Sequence, residues 1–308
     1  MHVATFYLFA DLADIEALRE RWLAQGTALG LRGTVLLAGE GINGTLCGER
    51  ADLDAFLNGI RGQVPELAGL TWKFSQANAD NTVFHRFKIK LKAEIVTFGV
   101  PGIRPAEHTG EHVGVAEWNA LLDDPDVLVI DTRNRYETAI GSFPGAMDPG
   151  TTNFREFPEF VRNELDPAKH RKVAMFCTGG IRCEKATAFM LDEGFDAVYQ
   201  LDGGILQYLE DAPADENRRQ GECFVFDQRV SVSSDLQEGA YEQCFACRRP
   251  LSAEDLASAD YEKGVCCPHC VDEYDEVARA AFVERRRQVL LAEARGEAHI
   301  GVRQKANA

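Results

Sequence analysis

The chain has 308 residues, enough for two or three domains with cores of their own. Its apolar fraction of 45% and aromatic fraction of 9% describe a globular protein, and no apolar run approaches the ~18 residues that a membrane-spanning helix needs. A formal net charge of −16 argues against wholesale nucleic-acid binding but leaves room for a local basic groove; nine cysteines, with no secretory leader evident, favour reduced thiols, metal ligation or catalysis in a cytoplasmic protein over a disulfide scaffold.

Residues 1–76 read as a small α/β domain. Val3 to Phe9 is strand-like, and Ile15, Leu18, Trp22 and Leu23 stripe a helix that Asp11 or Asp14 can cap. Gly33 to Ala38 and Ile42 to Leu46 are strand-like runs around Gly39-Glu-Gly41, a hairpin signal. Leu53, Phe56, Leu57 and Ile60 stripe a second helix, and Leu70 to Phe74 is a last strand. The order βαββαβ is the ferredoxin-like pattern. Glu40-Gly-Ile-Asn-Gly-Thr45 has two readings. It is a glycine-rich hairpin and nothing more, or it lies against substrate or the cysteine loop described below, since glycine allows close backbone approach.

Residues 77–115 read as a basic strand and linker. Asn78, Asp80 and Asn81 are turn-like. Arg86, Lys88, Lys90 and Lys92 then alternate with Phe87, Ile89 and Leu91, so a strand here puts the four cations on one face. No acid lies between Thr82 and Ala93, a local reversal of the chain's net sign. Such a face is a charged edge that resists aggregation, or a phosphate-contacting surface. Pro101, Gly102 and Pro105 punctuate the linker. His108 and His112 have no supporting cysteine or acidic cluster and read as surface residues rather than a metal pair.

Residues 116–215 alternate strands and helices, which implies a parallel sheet with right-handed crossovers. Ala116 to Leu122 and Phe154 to Val161 read as helices; Val127 to Ile130, Lys172 to Phe176 and Ala197 to Leu201 read as strands. Asp131 and Arg133 stand at a strand's carboxyl end, where such sheets bind ligands; their plainer role is a buried ion pair or loop anchor. Cys177 ends the next strand. Thr178, Gly179, Gly180, Ile181 and Arg182 form a tight loop, and a helix opens at Cys183. Inward-turned N–H groups, a helix N-terminus and the Arg182 fork together lower a thiol pKa and cradle an anion. The arrangement suits a thiolate, or a persulfide made from it. Cys183 is a resolving thiol or a small buried residue.

Residues 216–308 form a cysteine-rich tail. Cys223 to Phe226 and Arg229 to Val232 read as short strands. Cys244-x-x-Cys247 and Cys267-x-x-Cys270, separated by residues 248–266, fit a four-thiolate structural zinc site. Cys266 and His269 are alternative ligands, and the alternative to zinc is free thiols left over in a loop, redox pairs among them. Residues 271–296 look helical and charged, for packing or for a partner.

Several of these stretches carry a family resemblance. Cys177-Thr-Gly-Gly-Ile-Arg182 resembles the sulfur-carrying loop of rhodanese domains. Val127 to Arg133, with Glu137 four residues on, resembles their strand ending in Asp-x-Arg. Leu201-Asp-Gly-Gly204 resembles their closing turn. Gly141-Ser-Phe-Pro-Gly-Ala146 resembles their Gly-His-Ile-Pro-Gly-Ala turn, with Ser142 where histidine is usual. With His85 to Val96 before this part and the paired cysteines after it, the chain resembles the bacterial rhodanese-containing tRNA uridine hydroxylases. That resemblance implies a ferredoxin-like domain, a rhodanese-like domain and a cysteine-rich tail. It implies 5-hydroxyuridine formation at wobble position 34, with molecular oxygen as co-substrate, the tRNA anticodon region as partner and Cys177 as the reacting residue. It favours tRNA phosphates for Arg86, Lys88, Lys90 and Lys92. No flavin, haem or nicotinamide motif is seen. The alternatives are a sulfurtransferase working through a Cys177 persulfide, and a non-enzymatic adaptor.

Overall fold

The computed structural model describes residues 1–76 and 84–296; the turn-like Asn78, Asp80 and Asn81 lie outside them. The first domain consists of β1 (His2–Phe9), α1 (Ile15–Ala28), β2 (Arg32–Ala38), β3 (Gly41–Gly48), α2 (Arg50–Gln63), β4 (Trp72–Gln76) and β5 (Phe87–Leu91). Its sheet has the order β4-β1-β3-β2-β5. The first four strands are antiparallel neighbours in ferredoxin-like order, and β5 adds in parallel to β2. The basic strand is therefore the edge of this sheet rather than part of a linker. Its alternation decides its orientation. Ile89 is buried, Phe87 packs on the core, and Arg86, Lys88, Lys90 and Lys92 are exposed. The Phe87 ring fills the space that any Cβ on Gly26 of α1 would need.

The apolar faces of α1 and α2 meet the sheet through Trp22, Leu53, Phe56, Leu57 and Ile60, as their helical spacing predicts. Capping differs from the expectation. Asp14 precedes α1 in a left-handed conformation (φ 49°) and its side chain makes no capping bond, while Asp11 accepts from Arg104 at 2.6 Å.

The second domain comprises β6 (Glu111–Val113), α3 (Val115–Asp123), β7 (Val127–Asp131), α4 (Arg135–Thr138), β8 (Gly141–Ser142), α5 (Phe157–Glu164), β9 (Lys172–Phe176), α6 (Ile181–Asp192), β10 (Ala197–Leu201) and α7 (Gly204–Asp211). A four-stranded sheet, β6-β10-β9-β7, is parallel throughout. Side chains of alternate parity on β9 pack into two separate cores. Val173 and Met175 join Phe157 and Phe189; Ala174 and Phe176 join Trp118 and Tyr208.

The tail begins with β11 (Gln220–Gly221), which pairs back onto β8. Two small antiparallel hairpins follow, β12 (Cys223–Phe224) with β13 (Ser231–Val232), and β14 (Glu242–Gln243) with β15 (Pro250–Leu251). Helices α8 (Ala253–Ala257) and α9 (Glu276–Ala294) complete the described chain. α9 packs back on the tail: Phe282 stacks edge-on against Tyr274, and Arg285 donates to the Phe245 carbonyl at 2.6 Å. No helix among the described residues is long and apolar enough to cross a membrane.

Candidate active site and cysteine cluster

Cys177 leaves β9 fully into the interior, 1% exposed. The chain reverses immediately: the Gly180 N–H donates to Cys177 Sγ at 3.1 Å, and α6 starts at Ile181, two residues earlier than its sequence suggested. Gly180 has φ 94°, and a Cβ there would press on the Tyr7 hydroxyl, so both backbone and space require glycine. The Cys177 carbonyl accepts from Ile205 at 2.9 Å, which ties the loop to the closing Gly203-Gly204 turn.

Burial alone pushes the Cys177 thiol pKa up. The neighbouring Cys183 thiol, the Arg182 guanidinium and the N–H groups of Arg182 and Cys183 outweigh it and hold it down, at about 5. Cys183 moves the other way: burial and the adjacent Cys177 raise it well above the ordinary range. The pair therefore reads as a thiolate at Cys177 beside a neutral thiol at Cys183, which also lies 3.7 Å from the Thr132 hydroxyl. A positioning role for Cys183 has a direct consequence. Cys183→Ala is expected to raise the Cys177 pKa, whereas Cys183→Ser, which keeps a donor, is expected to keep most of the depression. The pH dependence of Cys177 alkylation, followed by mass spectrometry, measures both; identical profiles in the two variants would remove Cys183 from this role.

The charged residues of the loop are locked from behind. Arg182 meets Glu137 in a bidentate pair, both contacts 2.7 Å, with the two side chains 8% and 0% exposed. Its fork is thus committed to Glu137, and it acts on Cys177 through its charge. Glu137 in turn caps its own helix, accepting from the Asn134 N–H at 3.1 Å. Asp131 and Arg133 form the buried pair that is their plainer reading: Arg133 Nη2 reaches Asp131 at 2.6 Å and the Gly141 carbonyl at 2.6 Å. Ser142, standing where histidine is usual, donates to Asp131 at 2.7 Å. These two residues hold β7 to the 141–146 turn.

The first domain closes over the loop, which no local pattern announced. Tyr7 of β1 donates to Glu184 at 3.1 Å, and burial, then Glu184 and Cys177, push its pKa up. Glu184 also meets His112 at 3.0 Å and Thr109 at 3.0 Å. Burial would raise the Glu184 carboxyl pKa; its His112, Thr109 and Tyr7 partners hold it below the usual range, and the Glu184 hydrogen bond raises His112. His112 stays exposed, as a surface residue, but joins an interdomain network through Glu184; His108 stays exposed beside Asp192. Lys185, 3% exposed, bridges Glu40 at 2.8 Å and Glu94 at 2.6 Å. The Glu40 hairpin thus lies against α6, the helix that the cysteine loop opens. Lys73 of β4 donates to the Gly203 carbonyl at 3.4 Å; burial lowers its pKa, against the pull of Asp202, Glu210 and Asp211.

A second cluster lies in the tail. The Sγ atoms of Cys244, Cys247, Cys267 and Cys270 all fall within 4.8 Å of one another, with Cys244–Cys270 at 3.9 Å, Cys247–Cys267 at 3.8 Å and Cys267–Cys270 at 3.6 Å. Four thiolates ~2.3 Å from a shared tetrahedral zinc would stand ~3.8 Å apart, so the donor set fits that ion. The two alternative ligands are engaged elsewhere. Cys266 faces the Asp260 carbonyl at 3.3 Å, and His269 pairs with Asp255 at 3.1 Å.

A buried thiolate in a glycine loop at the carboxyl end of a parallel sheet is the site of a rhodanese-class domain, and residues 115–211 match the rhodanese-like domain model. Residues 1–95 match the model described as the UPF0176 acylphosphatase-like domain. The chain therefore carries an acylphosphatase-like domain of the UPF0176 type followed by a rhodanese-like domain. Among solved structures, a rhodanese-like domain from Anabaena is 17% identical, covering 37% of this chain and 80% of its own (TM-score 0.31). A rhodanese-related protein from Thermoplasma volcanium is 21% identical, covering 33% and 93% (TM-score 0.27). The acylphosphatase of Bacillus subtilis is 15% identical, covering 29% and 99% (TM-score 0.25).

Proposed function

We propose that this protein hydroxylates uridine at wobble position 34 of tRNA to 5-hydroxyuridine, with molecular oxygen as co-substrate and Cys177 as the reacting group. The observation that carries the reading is the join between the two domains. A sulfurtransferase acting on a small donor needs only the cradle from Thr178 to Arg182. Here a ferredoxin-like domain with a basic edge strand is fastened to that cradle through Tyr7, Glu184 and Lys185. A depressed thiol pKa makes Cys177 a nucleophile toward an electron-poor pyrimidine carbon, or a carrier of sulfane sulfur. Gly180 and Cys183 hold the thiolate, while Glu137 fixes the Arg182 charge beside it. A tRNA anticodon base is already unpaired and enters a site at little unstacking cost.

The test is incubation of unmodified tRNA with the protein under isotopically labelled oxygen, a thiol reductant supplying the two electrons that take the second oxygen atom to water. Nucleoside mass spectrometry is expected to find one labelled atom in 5-hydroxyuridine, absent with Cys177→Ser. Thiolated uridine, or sulfur transfer to cyanide with tRNA unchanged, would assign the chain to sulfur transfer instead.

In this reading Arg86, Lys88, Lys90 and Lys92 contact phosphates. Lys88→Ala with Lys90→Ala is expected to weaken tRNA binding and lower its salt slope by about one unit per lost contact. Titrations at several salt concentrations measure this; an unmoved slope would make β5 a charged sheet edge and nothing more. We further propose that the four tail thiolates hold one structural zinc, whose chemistry is to join two loops that share little apolar core.

A further inference from the structure

A cavity of about 360 Å³ opens where the three parts of the chain meet. Phe84 lines it from the first domain, Tyr136 from the second, and Phe224, Phe226, Gln243 and Arg248 from the tail. It adjoins the cysteine loop. The Thr178 hydroxyl donates to the Phe224 carbonyl at 3.4 Å, and the Arg182 guanidinium lies 5.8 Å from the Phe226 ring centre.

The aromatic rings are arranged as a stair. Tyr136 meets Phe224 edge to face at 5.2 Å, and Phe224 meets Phe226 in the same way at 5.1 Å. Phe226 ends the stair 63% exposed, the one phenylalanine among the exposed large apolar side chains of the described residues. A ring held from one side and open on the other is a stacking platform, and every nucleobase presents a π face to it.

The charges around the cavity are those an anionic chain would meet. Asp227, the acid in its wall, is neutralised by Arg229 at 2.6 Å. Arg248 has no carboxylate partner among the described residues. It donates to Gln243 at 3.1 Å and lies over Phe245, and its own N–H is fixed to the Cys244 carbonyl at 2.8 Å in a left-handed turn (φ 69°). The basic edge strand runs on from the wall: Phe84 is followed by Arg86, Lys88, Lys90 and Lys92. A cavity of this size admits a single nucleotide.

We propose that this cavity binds the unpaired target base of an RNA loop, stacked on Phe226, with Arg248 on a neighbouring phosphate. The inference rests on the RNA reading above and adds the site where the base is held. It also gives the cysteine cluster a second consequence, because the Cys244–Cys247 turn sets the position of Arg248.

The experiment uses the full chain and an RNA hairpin with the dimensions of an anticodon stem-loop, carrying 5-iodouridine at the wobble position. Long-wavelength irradiation is expected to attach that base to Phe226 or Tyr136, located by peptide mass spectrometry. In parallel, Phe226→Ala is expected to weaken binding of the uridine hairpin about tenfold, and Phe226→Trp to retain it. The same hairpin with an abasic residue at that position should bind both variants alike. Phe226 is outside the core, so the alanine variant is expected to keep the parent's unfolding midpoint. An adduct elsewhere, with Phe226→Ala binding unchanged, would overturn this site and leave the RNA reading standing. Failure of the unaltered protein to bind the hairpin would overturn both.

Discussion

Cys177→Ser is expected to remove turnover, by at least about a thousandfold, with the circular dichroism spectrum unchanged. Serine nearly matches the thiol in size and still accepts the Gly180 N–H. A hydroxyl in that place stays protonated at neutral pH, so the substitution removes the anion and leaves the cradle. The pH dependence follows from the same geometry. Activity that needs the thiolate should be level through neutrality and fall as pH drops through about 5, where Cys177 is protonated. Stability carries the same sign. A pKa lower in the folded chain than the ordinary ~8.5 adds stability that is fully present above that value and is lost as pH falls through about 5. Parent and variant should therefore differ in unfolding midpoint near neutrality and converge in acid. An active Ser variant, or an acid limb that persists without the thiol, would take Cys177 out of the reaction.

The chemistry-bearing parts of this chain were legible because each is local. Cys177 and its glycine loop, Asp131 with Arg133, and the two pairs of tail cysteines are short spacings whose geometry follows from one turn of backbone. The alternation of Arg86 to Lys92 also read correctly as one exposed face. What the pattern did not reveal is where that strand docks. The turn-like residues ahead of it suggested a linker, yet Phe87 and Ile89 pack into the first domain's core, with the Phe87 ring edge-on against Phe56 of α2, some thirty residues earlier. The interdomain contacts were hidden for the same reason. Tyr7 and Glu184 are 177 residues apart, and Lys73 and Gly203 are 130 apart. Neither member of such a pair looks unusual in its own segment. A faint signal did exist in α6, where Arg182, Glu184 and Lys185 interrupt an otherwise buried helix. Charges inside a core demand partners, and here the partners came from Glu137, His112, Glu40 and Glu94. His112 read correctly as a surface residue, but its Glu184 partner was hidden because a single histidine has no spacing to betray it.

The tail is expected to contain one zinc per chain and to lose its structure when the ion is removed, while the first two domains keep theirs. The argument is one of core size. Six residues are buried in the tail's apolar cluster, Cys244, Leu251, Val265, Cys266, Cys267 and Cys270, and three of them belong to the thiol set. So small an apolar core supplies little burial energy against the entropy of ordering two loops and the helix that packs on them. A structural zinc, by contrast, contributes on the order of 10–16 kcal/mol in small peptide domains. Cys267→Ser should therefore act like chelation. Both should free Arg285 from the Phe245 carbonyl, loosen α9 and expose the tail to limited proteolysis after roughly the β13 strand. Because Arg248 and Gln243 sit on the same turn, both treatments should also weaken RNA hairpin binding, and restored zinc should recover it in the chelated parent but not in the variant. Elemental analysis of protein purified without chelators gives the stoichiometry, and protease mapping gives the boundary. A chain that holds no zinc, has four freely alkylated thiols and resists protease as before would show that the apolar contacts suffice.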